Sequence, residues 1–165
     1  IYVAAFGAFT DVAYSTPQAA KSLLGHAAYM LESVTRIASI QSYPLTVEHD
    51  AGVEVGSYCY GMVSNTISVG GFKGMPTQPV ELDDGIFEVV LVRQPQNPIQ
   101  LQAIIRALLT MSPDEGGLVT SYRTGRLKIT CDRALPWTLD GEFGGDHAAA
   151  EIENCRRAVT IVYGA

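Results

Sequence analysis

The stretch on which the fold and the chemistry depend is 137–145, Trp-Thr-Leu-Asp-Gly-Glu-Phe-Gly-Gly. It places Asp140 and Glu142 two residues apart, on either side of Gly141. In an extended segment such residues point to the same side, so the spacing predicts that the two carboxylates share one face. Paired carboxylates suit proton transfer, and Gly141 leaves room for a ligand or another backbone. Spacing alone favours the alternative, a surface turn with two solvated acids.

The composition indicates one folded domain. The chain has 165 residues, of which 47% are apolar and 17% charged, enough to bury a sizeable core. The net charge of −6 and the lack of a basic cluster argue against a nucleic-acid partner. No apolar run is long enough for a membrane span. The chain begins at Ile1, without a methionine and inside a predicted strand, so we expect part of a longer protein.

Cysteine and histidine give no sign of a metal centre. The residues are Cys59, Cys131, Cys155, His26, His49 and His147. The cysteine count is odd and there is no C-x-x-C spacing, so neither a disulfide framework nor a zinc site is indicated. We predict reduced core cysteines in a cytoplasmic protein, and histidines that are structural or exposed.

The remaining pattern is mostly short strands separated by turns. Strands are predicted at 2–9, 44–48, 53–64, 87–92, 118–122, 126–132 and within 151–163, including 158–163. Two helices are predicted, one from Pro17 behind the capping residue Thr16, and one that starts at Asn97-Pro98. Strands and helices do not alternate regularly, which disfavours a parallel sheet. We therefore predict a β-rich α+β fold, an antiparallel two-sheet, sandwich-like domain with flanking helices.

Two loops have residues that could hold a ligand. The glycine-rich segment 68–76 could cradle phosphate, but it lacks the P-loop spacing and final Lys-Ser/Thr, so a structural loop is the preferred interpretation. The loop 81–86 is rich in acidic side chains and turn carbonyls, the oxygen ligands that Mg²⁺ or Ca²⁺ prefers. An ordinary turn ahead of the next strand is the alternative for 81–86.

Several segments, in order, resemble the second domain of the diacylglycerol kinase/sphingosine kinase family, specifically the bacterial lipid kinases. They are 6–14, 16–18, 24–29, 64–65, 70–71, 82–89 and 137–142. The resemblance spans nearly the whole chain and is more specific than any single motif. It implies the fold of the second domain of NAD kinase- and diacylglycerol kinase-like proteins.

The resemblance also implies an activity and site residues. The family transfers the γ-phosphoryl group of ATP to a hydroxyl of a lipid, such as diacylglycerol. In that family the Asp matching Asp140 is the base that receives the hydroxyl proton, and the Glu matching Glu142 helps organise the site. The loop holds a structural Mg²⁺ through the carboxylate matching Asp84 and the carbonyls matching Glu81 and Ile86.

One departure from the family is large. The first domain of these kinases carries a Gly-Gly-Asp-Gly-Thr motif that holds the nucleotide, and the 165 residues contain no such motif. The resemblance therefore implies the acceptor half of a kinase whose other half binds ATP with its Mg²⁺, and we expect the isolated chain to be inactive. For the full-length protein it implies a cytoplasmic enzyme in peripheral contact with the membrane, and a homodimer is left open.

Two other functions compete with this interpretation. The fold could serve as a non-catalytic lipid-binding or interaction module, although the retention of both Asp140 and Glu142 argues against lost chemistry. Alternatively, the two acids could be the acid and nucleophile of a glycosidase, but such enzymes usually take them from separate elements.

Overall fold

The computed structural model describes residues 1–7, 40–66, 68–69, 72–73, 81–110, 116–160 and 162. The elements are β1 (Val3–Gly7), β2 (Tyr43–His49), β3 (Gly52–Ser64), β4 (Ser68–Val69), β5 (Phe72–Lys73), β6 (Phe87–Arg93), α1 (Pro98–Thr110), β7 (Val119–Thr124), β8 (Arg126–Leu139) and β9 (Glu142–Glu153). The helix predicted from Pro17, with its Thr16 cap, lies outside the described residues, as do Gly70 and Gly71. On either side of those glycines, β4 and β5 pair as a short antiparallel hairpin.

Seven strands form one antiparallel sheet in the order β1-β8-β2-β3-β6-β7, with β9 added on β8. Because β1 also pairs with β3, the strands β1, β8, β2 and β3 close into a barrel-like ring. The predicted β-rich, antiparallel character is confirmed, but the two-sheet sandwich is not. The physical reason is the length of β3 and β8, which at 13 and 14 residues pair with different neighbours along their course.

Aromatic side chains fill the interior of the ring. Phe6 and Trp137 are 0% and 3% exposed, and their rings meet edge to face with centroids 5.2 Å apart. Gly61 lies directly under Phe6, where a Cβ atom would be 2.2 Å from the ring. At Gly7, φ is +85° and a Cβ would be 2.2 Å from the carbonyl oxygen of Cys59. Gly7 is therefore the point where β1 comes closest to the backbone of β3.

The outer face of the sheet is covered by α1. This helix begins at Pro98 as predicted, and Asn97 caps it, since Asn97 Oδ1 accepts the N–H of Gln100 at 2.9 Å. Ile104 and Ala107 point inward and are 2% and 5% exposed. They belong to a second apolar cluster with Ala5, Cys59, Met62, Val90, Val92 and Val119. The helix and sheet are thus joined by apolar burial, the main favourable contribution to folding.

The end of the chain differs from the prediction. β9 ends at Glu153, so the strand predicted over 158–163 is wrong for the described residues of that range. The chain turns at Arg157, where φ is +54°, and Val159 and Val162 are 80% and 91% exposed. Their apolar pattern resembles a strand, but a strand also requires a partner edge. Cys155 is likewise exposed, whereas Cys59 and Cys131 are buried, and all three thiols are free.

The strands on either side of Gly125 are present as predicted, yet they do not pair with each other. β7 pairs with β6, and β8 pairs with β2, so the chain turns a corner at Gly125. Asp50 holds this corner, because its Oδ2 accepts the Gly125 N–H at 2.7 Å and the Thr124 hydroxyl at 2.8 Å. These hydrogen bonds, that of Thr124 first, lower the pKa of Asp50.

Candidate active site

Asp140 and Gly141 form the two-residue turn between β8 and β9. Leu139 pairs with Glu142 across this turn, and φ is +50° at Asp140 and +91° at Gly141. Two positive φ angles define the turn type that matches the twist of a β-hairpin, and Asp-Gly is among its preferred sequences. The prediction that Asp140 and Glu142 share one face of an extended segment was therefore wrong. The Asp-Gly pair between strand-like residues was the signal for the turn.

The carboxylate of Asp140 is bound to the first strand. Its Oδ1 accepts the backbone N–H groups of Tyr2 and Val3, both at 2.7 Å. The backbone N–H of Asp140 in turn donates to the Val3 carbonyl at 2.9 Å. The other oxygen, Oδ2, has no such partner in the described part of the chain. Asp140 is exposed, and its side chain is fixed in direction through Oδ1.

Glu142 is the first residue of β9 and is exposed. Glu142 follows the turn that contains Asp140, so the two acids are not on one face of a single strand. Behind the turn, Trp137 holds the end of β8 in the core against Phe6. The predicted pair is therefore presented at the tip of a hairpin, directly after a strand end that Trp137 holds in the core.

The loop 81–86 is held by hydrogen bonds within the loop and to neighbouring strands and turns. Asp84 Oδ1 accepts the Ile86 N–H at 2.8 Å, and Asp84 Oδ2 binds Nη2 of Arg123 at 2.7 Å. The Ile86 carbonyl accepts a hydrogen bond from Asn154 Nδ2 at 3.1 Å. Two of the three predicted magnesium ligands, Asp84 and Ile86, therefore already have protein partners.

The donor chemistry of this loop still suits a hard cation. No three His, Cys, Asp or Glu side chains of the described ranges are grouped to hold a metal, so such a site would depend on the carbonyls of Glu81 and Ile86. An oxygen that accepts one hydrogen bond retains a further lone pair. The residues fit Mg²⁺ on condition that the ion shares the Asp84 carboxylate with Arg123 or displaces the guanidinium.

One cross-strand row links the loop to the hairpin tip. Val3 pairs with Ser64, Ser64 with Glu88, and Glu88 with Arg123, while the Asp140 N–H reaches the Val3 carbonyl. Neighbouring strands lie about 4.8 Å apart, so roughly 20 Å of sheet separates Asp140 from Arg123. The two predicted sites share one end of the sheet without forming one cluster. Arg123 and Glu88 were not predicted from the sequence, although a charge inside an otherwise apolar strand was a signal for Glu88.

Comparison with known proteins places this sheet among diacylglycerol kinase-like folds. No family model matches the chain. A diacylglycerol kinase of Bacillus subtilis strain 168 is 25% identical over 162 residues, which cover 98% of this chain and 52% of that protein. A diacylglycerol kinase of Staphylococcus aureus strain JH9 is 28% identical over 161 residues, 98% of this chain and 50% of that protein. The chain therefore spans about half the length of these relatives.

Solved structures agree at the level of the fold. A Bacillus anthracis protein provisionally called a diacylglycerol kinase superposes with a TM-score of 0.63 at 16% identity, over 93% of this chain and 51% of that one. A second diacylglycerol kinase structure from that organism gives a TM-score of 0.55 at 12% identity, over 93% and 46%. The resemblance to bacterial lipid kinases read from the sequence is confirmed. In the part of the chain that the structure describes, no helix is both long and apolar enough to cross a membrane.

Proposed function

We propose that this chain is the acceptor-binding, base-bearing half of an ATP-dependent lipid kinase that phosphorylates a hydroxyl of diacylglycerol or a similar lipid. The similarity to diacylglycerol kinases over 98% of the chain supports the class of reaction. The single observation that carries the site is the exposed Asp140 carboxylate, whose Oδ1 is fixed by two backbone N–H groups.

Asp140 is the general base in this proposal. A lipid hydroxyl is a weak nucleophile, and its proton leaves as its oxygen forms the new bond to the γ-phosphorus of ATP. A carboxylate oxygen within hydrogen-bond reach orients that hydroxyl and takes the proton, while ADP departs with the electron pair of the broken phosphate bond. The Tyr2 and Val3 N–H groups hold Asp140 Oδ1, which leaves Oδ2 for the hydroxyl.

Glu142 has a supporting role in the proposal. It is exposed and follows the turn directly, so its charge acts on the same approaching substrate as Asp140. Mg²⁺ bound with ATP would neutralise charge on the transferred phosphoryl group. A structural Mg²⁺ would be held by Asp84 and the carbonyls of Glu81 and Ile86, where it would fix the loop.

Binding of ATP and contact with the membrane would involve parts of the full-length protein outside these 165 residues. The ATP half would be a separate domain, and the full-length protein would reach its lipid acceptor by peripheral contact with the membrane surface from the cytoplasm. Phosphoryl transfer needs both substrates held in line, so the two halves would act together.

The test is a labelled-ATP assay of the full-length open reading frame against a panel of lipid alcohols. Asp140→Asn keeps the shape of the side chain and removes the basic oxygen, so kcat is expected to fall about a hundredfold or more. Glu142→Gln is expected to slow turnover as well. Asp146→Asn, a change at another exposed acid of the same hairpin, is the matched control and should leave kcat unchanged.

The outcomes separate the two main candidates. Near-normal turnover by a folded Asp140→Asn protein would place the base elsewhere. If the full-length protein binds lipid vesicles but transfers no phosphate to any lipid, the non-catalytic lipid-binding module becomes the better description.

A further inference from the structure

A row of polar residues crosses three neighbouring strands beside the loop 81–86. Ser64 of β3 lies opposite Glu88 of β6, and Glu88 lies opposite Arg123 of β7. Directly opposed residues of antiparallel strands point to the same face, so these three side chains are neighbours on the outer face. Arg123 then extends the row to Asp84 in the loop.

Glu88 is a buried carboxylate with few polar partners. It is 4% exposed, and its Oε1 lies 3.3 Å from Nε of Arg123. Within the described residues neither of its carboxylate oxygens accepts a hydrogen bond, and the hydroxyl of Ser64, at 1% exposure, has no partner either. Burying an ionised carboxylate is costly unless a cation is paired with it. Arg123 is the cation that offsets this cost.

Arg123 is shared between two acids. Its Nη2 is 2.7 Å from Asp84 Oδ2, closer than its Nε is to Glu88. The Arg123 and Asp84 side chains are 29% and 20% exposed, so this ion pair is only partly screened by water. One guanidinium therefore serves the loop and the sheet at the same time.

We propose that Arg123 is an internal counter-ion for the loop, and that a divalent cation at Asp84 competes with it. On binding of the cation, the guanidinium leaves Asp84 and keeps its pairing with Glu88. This inference rests on the proposed cation site at Glu81, Asp84 and Ile86. It makes Arg123 and Glu88 residues that set the affinity of that site without being ligands.

The competition predicts opposite effects for the two residues. Arg123→Met removes the competitor, so half-saturation with Mg²⁺ should need about tenfold less of the ion, the effect of one lost charge-assisted hydrogen bond. Glu88→Gln removes the group onto which the guanidinium retreats, so its release from Asp84 becomes less favourable. Half-saturation should then need more Mg²⁺ than in the wild type.

The experiment is a magnesium titration of the melting temperature, using the full-length protein after removal of metals with a chelator. Arg123→Lys accompanies Arg123→Met, because it keeps a charge but cannot reach both acids as the guanidinium fork does. The matched control is Arg157→Met, which breaks an exposed ion pair to Asp83 in the same loop. Arg157→Met should titrate like the wild type, and Arg123→Lys should fall between wild type and Arg123→Met.

Each result has one meaning. Tighter apparent Mg²⁺ binding in Arg123→Met and weaker binding in Glu88→Gln support the competition. If wild type and Arg123→Met respond to Mg²⁺ equally, the competition is wrong and the cation site stands. If neither responds, the cation site itself is wrong and the competition falls with it, while lipid phosphorylation in the labelled-ATP assay would still support the proposed kinase.

Discussion

Asp140 Oδ1 accepts the backbone N–H of Val3 at 2.7 Å, although the two residues are 137 positions apart in the chain. This contact joins the tip of the β8–β9 hairpin to the first strand of the sheet. The Asp140 carboxylate therefore stabilises the hairpin tip in addition to being the candidate base. Variants at Asp140 therefore have to be measured for thermal stability as well as for turnover.

Asp140→Ala and Asp140→Asn should differ in stability. Alanine loses the acceptor of two N–H groups and is strained at the positive φ of this position, whereas asparagine keeps an acceptor oxygen and tolerates that φ. We expect Asp140→Ala to lower the melting temperature by about 3 °C or more, and Asp140→Asn to leave it nearly unchanged. Differential scanning calorimetry of both variants is the measurement. Equal loss in both would mean that the charge, not the acceptor oxygen, stabilises the hairpin tip.

Asp84→Ala should destabilise the protein even without metal. The carboxylate accepts the Ile86 N–H and binds Arg123, and both contacts are lost together. The control is Asp83→Ala, because among the described residues the Asp83 side chain pairs only with the exposed Arg157. Melting curves in chelator should show a clear loss for Asp84→Ala and almost none for Asp83→Ala. Added Mg²⁺ should stabilise the wild type and the control but not Asp84→Ala.

Glu88 should make stability decrease as pH rises. Burial raises the pKa of Glu88 above its ordinary value of 4.5, while Arg123 acts in the opposite direction and the Asp84 charge adds to the rise. The folded state holds this proton more tightly than the unfolded chain does, so the contribution is full below 4.5 and is lost as pH rises through the folded pKa. Glutamine has no such dependence.

The corresponding measurement compares Glu88→Gln with wild type across pH. The melting temperature of the variant minus that of the wild type should become more positive between about pH 4 and pH 7. Asp132→Asn, on the exposed side of β8, controls for general charge effects. A difference that stays constant, or falls, over this range would show that Arg123 fully compensates the buried charge.

The isolated chain should bind ATP weakly and transfer no phosphate to lipid. Its 165 residues lack the nucleotide-binding motif of the resembling kinases, and positioning of both substrates supplies much of phosphoryl-transfer catalysis. Isothermal titration calorimetry of the 165-residue chain with ATP is the test. Micromolar affinity would contradict the assignment of the nucleotide to another domain.

The sequence by itself determined much of the local structure. Apolar segments bounded by turn signals predicted β2, β3, β6, β7 and the first part of β8, and Asn97-Pro98 predicted the start of α1. These features depend on neighbours along the chain. The resemblance carried by seven short segments was equally local, since a motif is recognised by residue order alone.

Only the tertiary structure decided how these pieces meet. That β1 closes the ring between β3 and β8 depends on pairings between residues as far apart as Ala4 and Leu139, which no local pattern encodes. The same holds for the anchoring of Asp140 on β1 and for the shared guanidinium of Arg123. Strand pairing brings distant residues within 3 Å or so of one another, whereas hydrophobic periodicity specifies only which face each residue takes. The sequence therefore indicated the acids, and the pairing of strands supplied their partners.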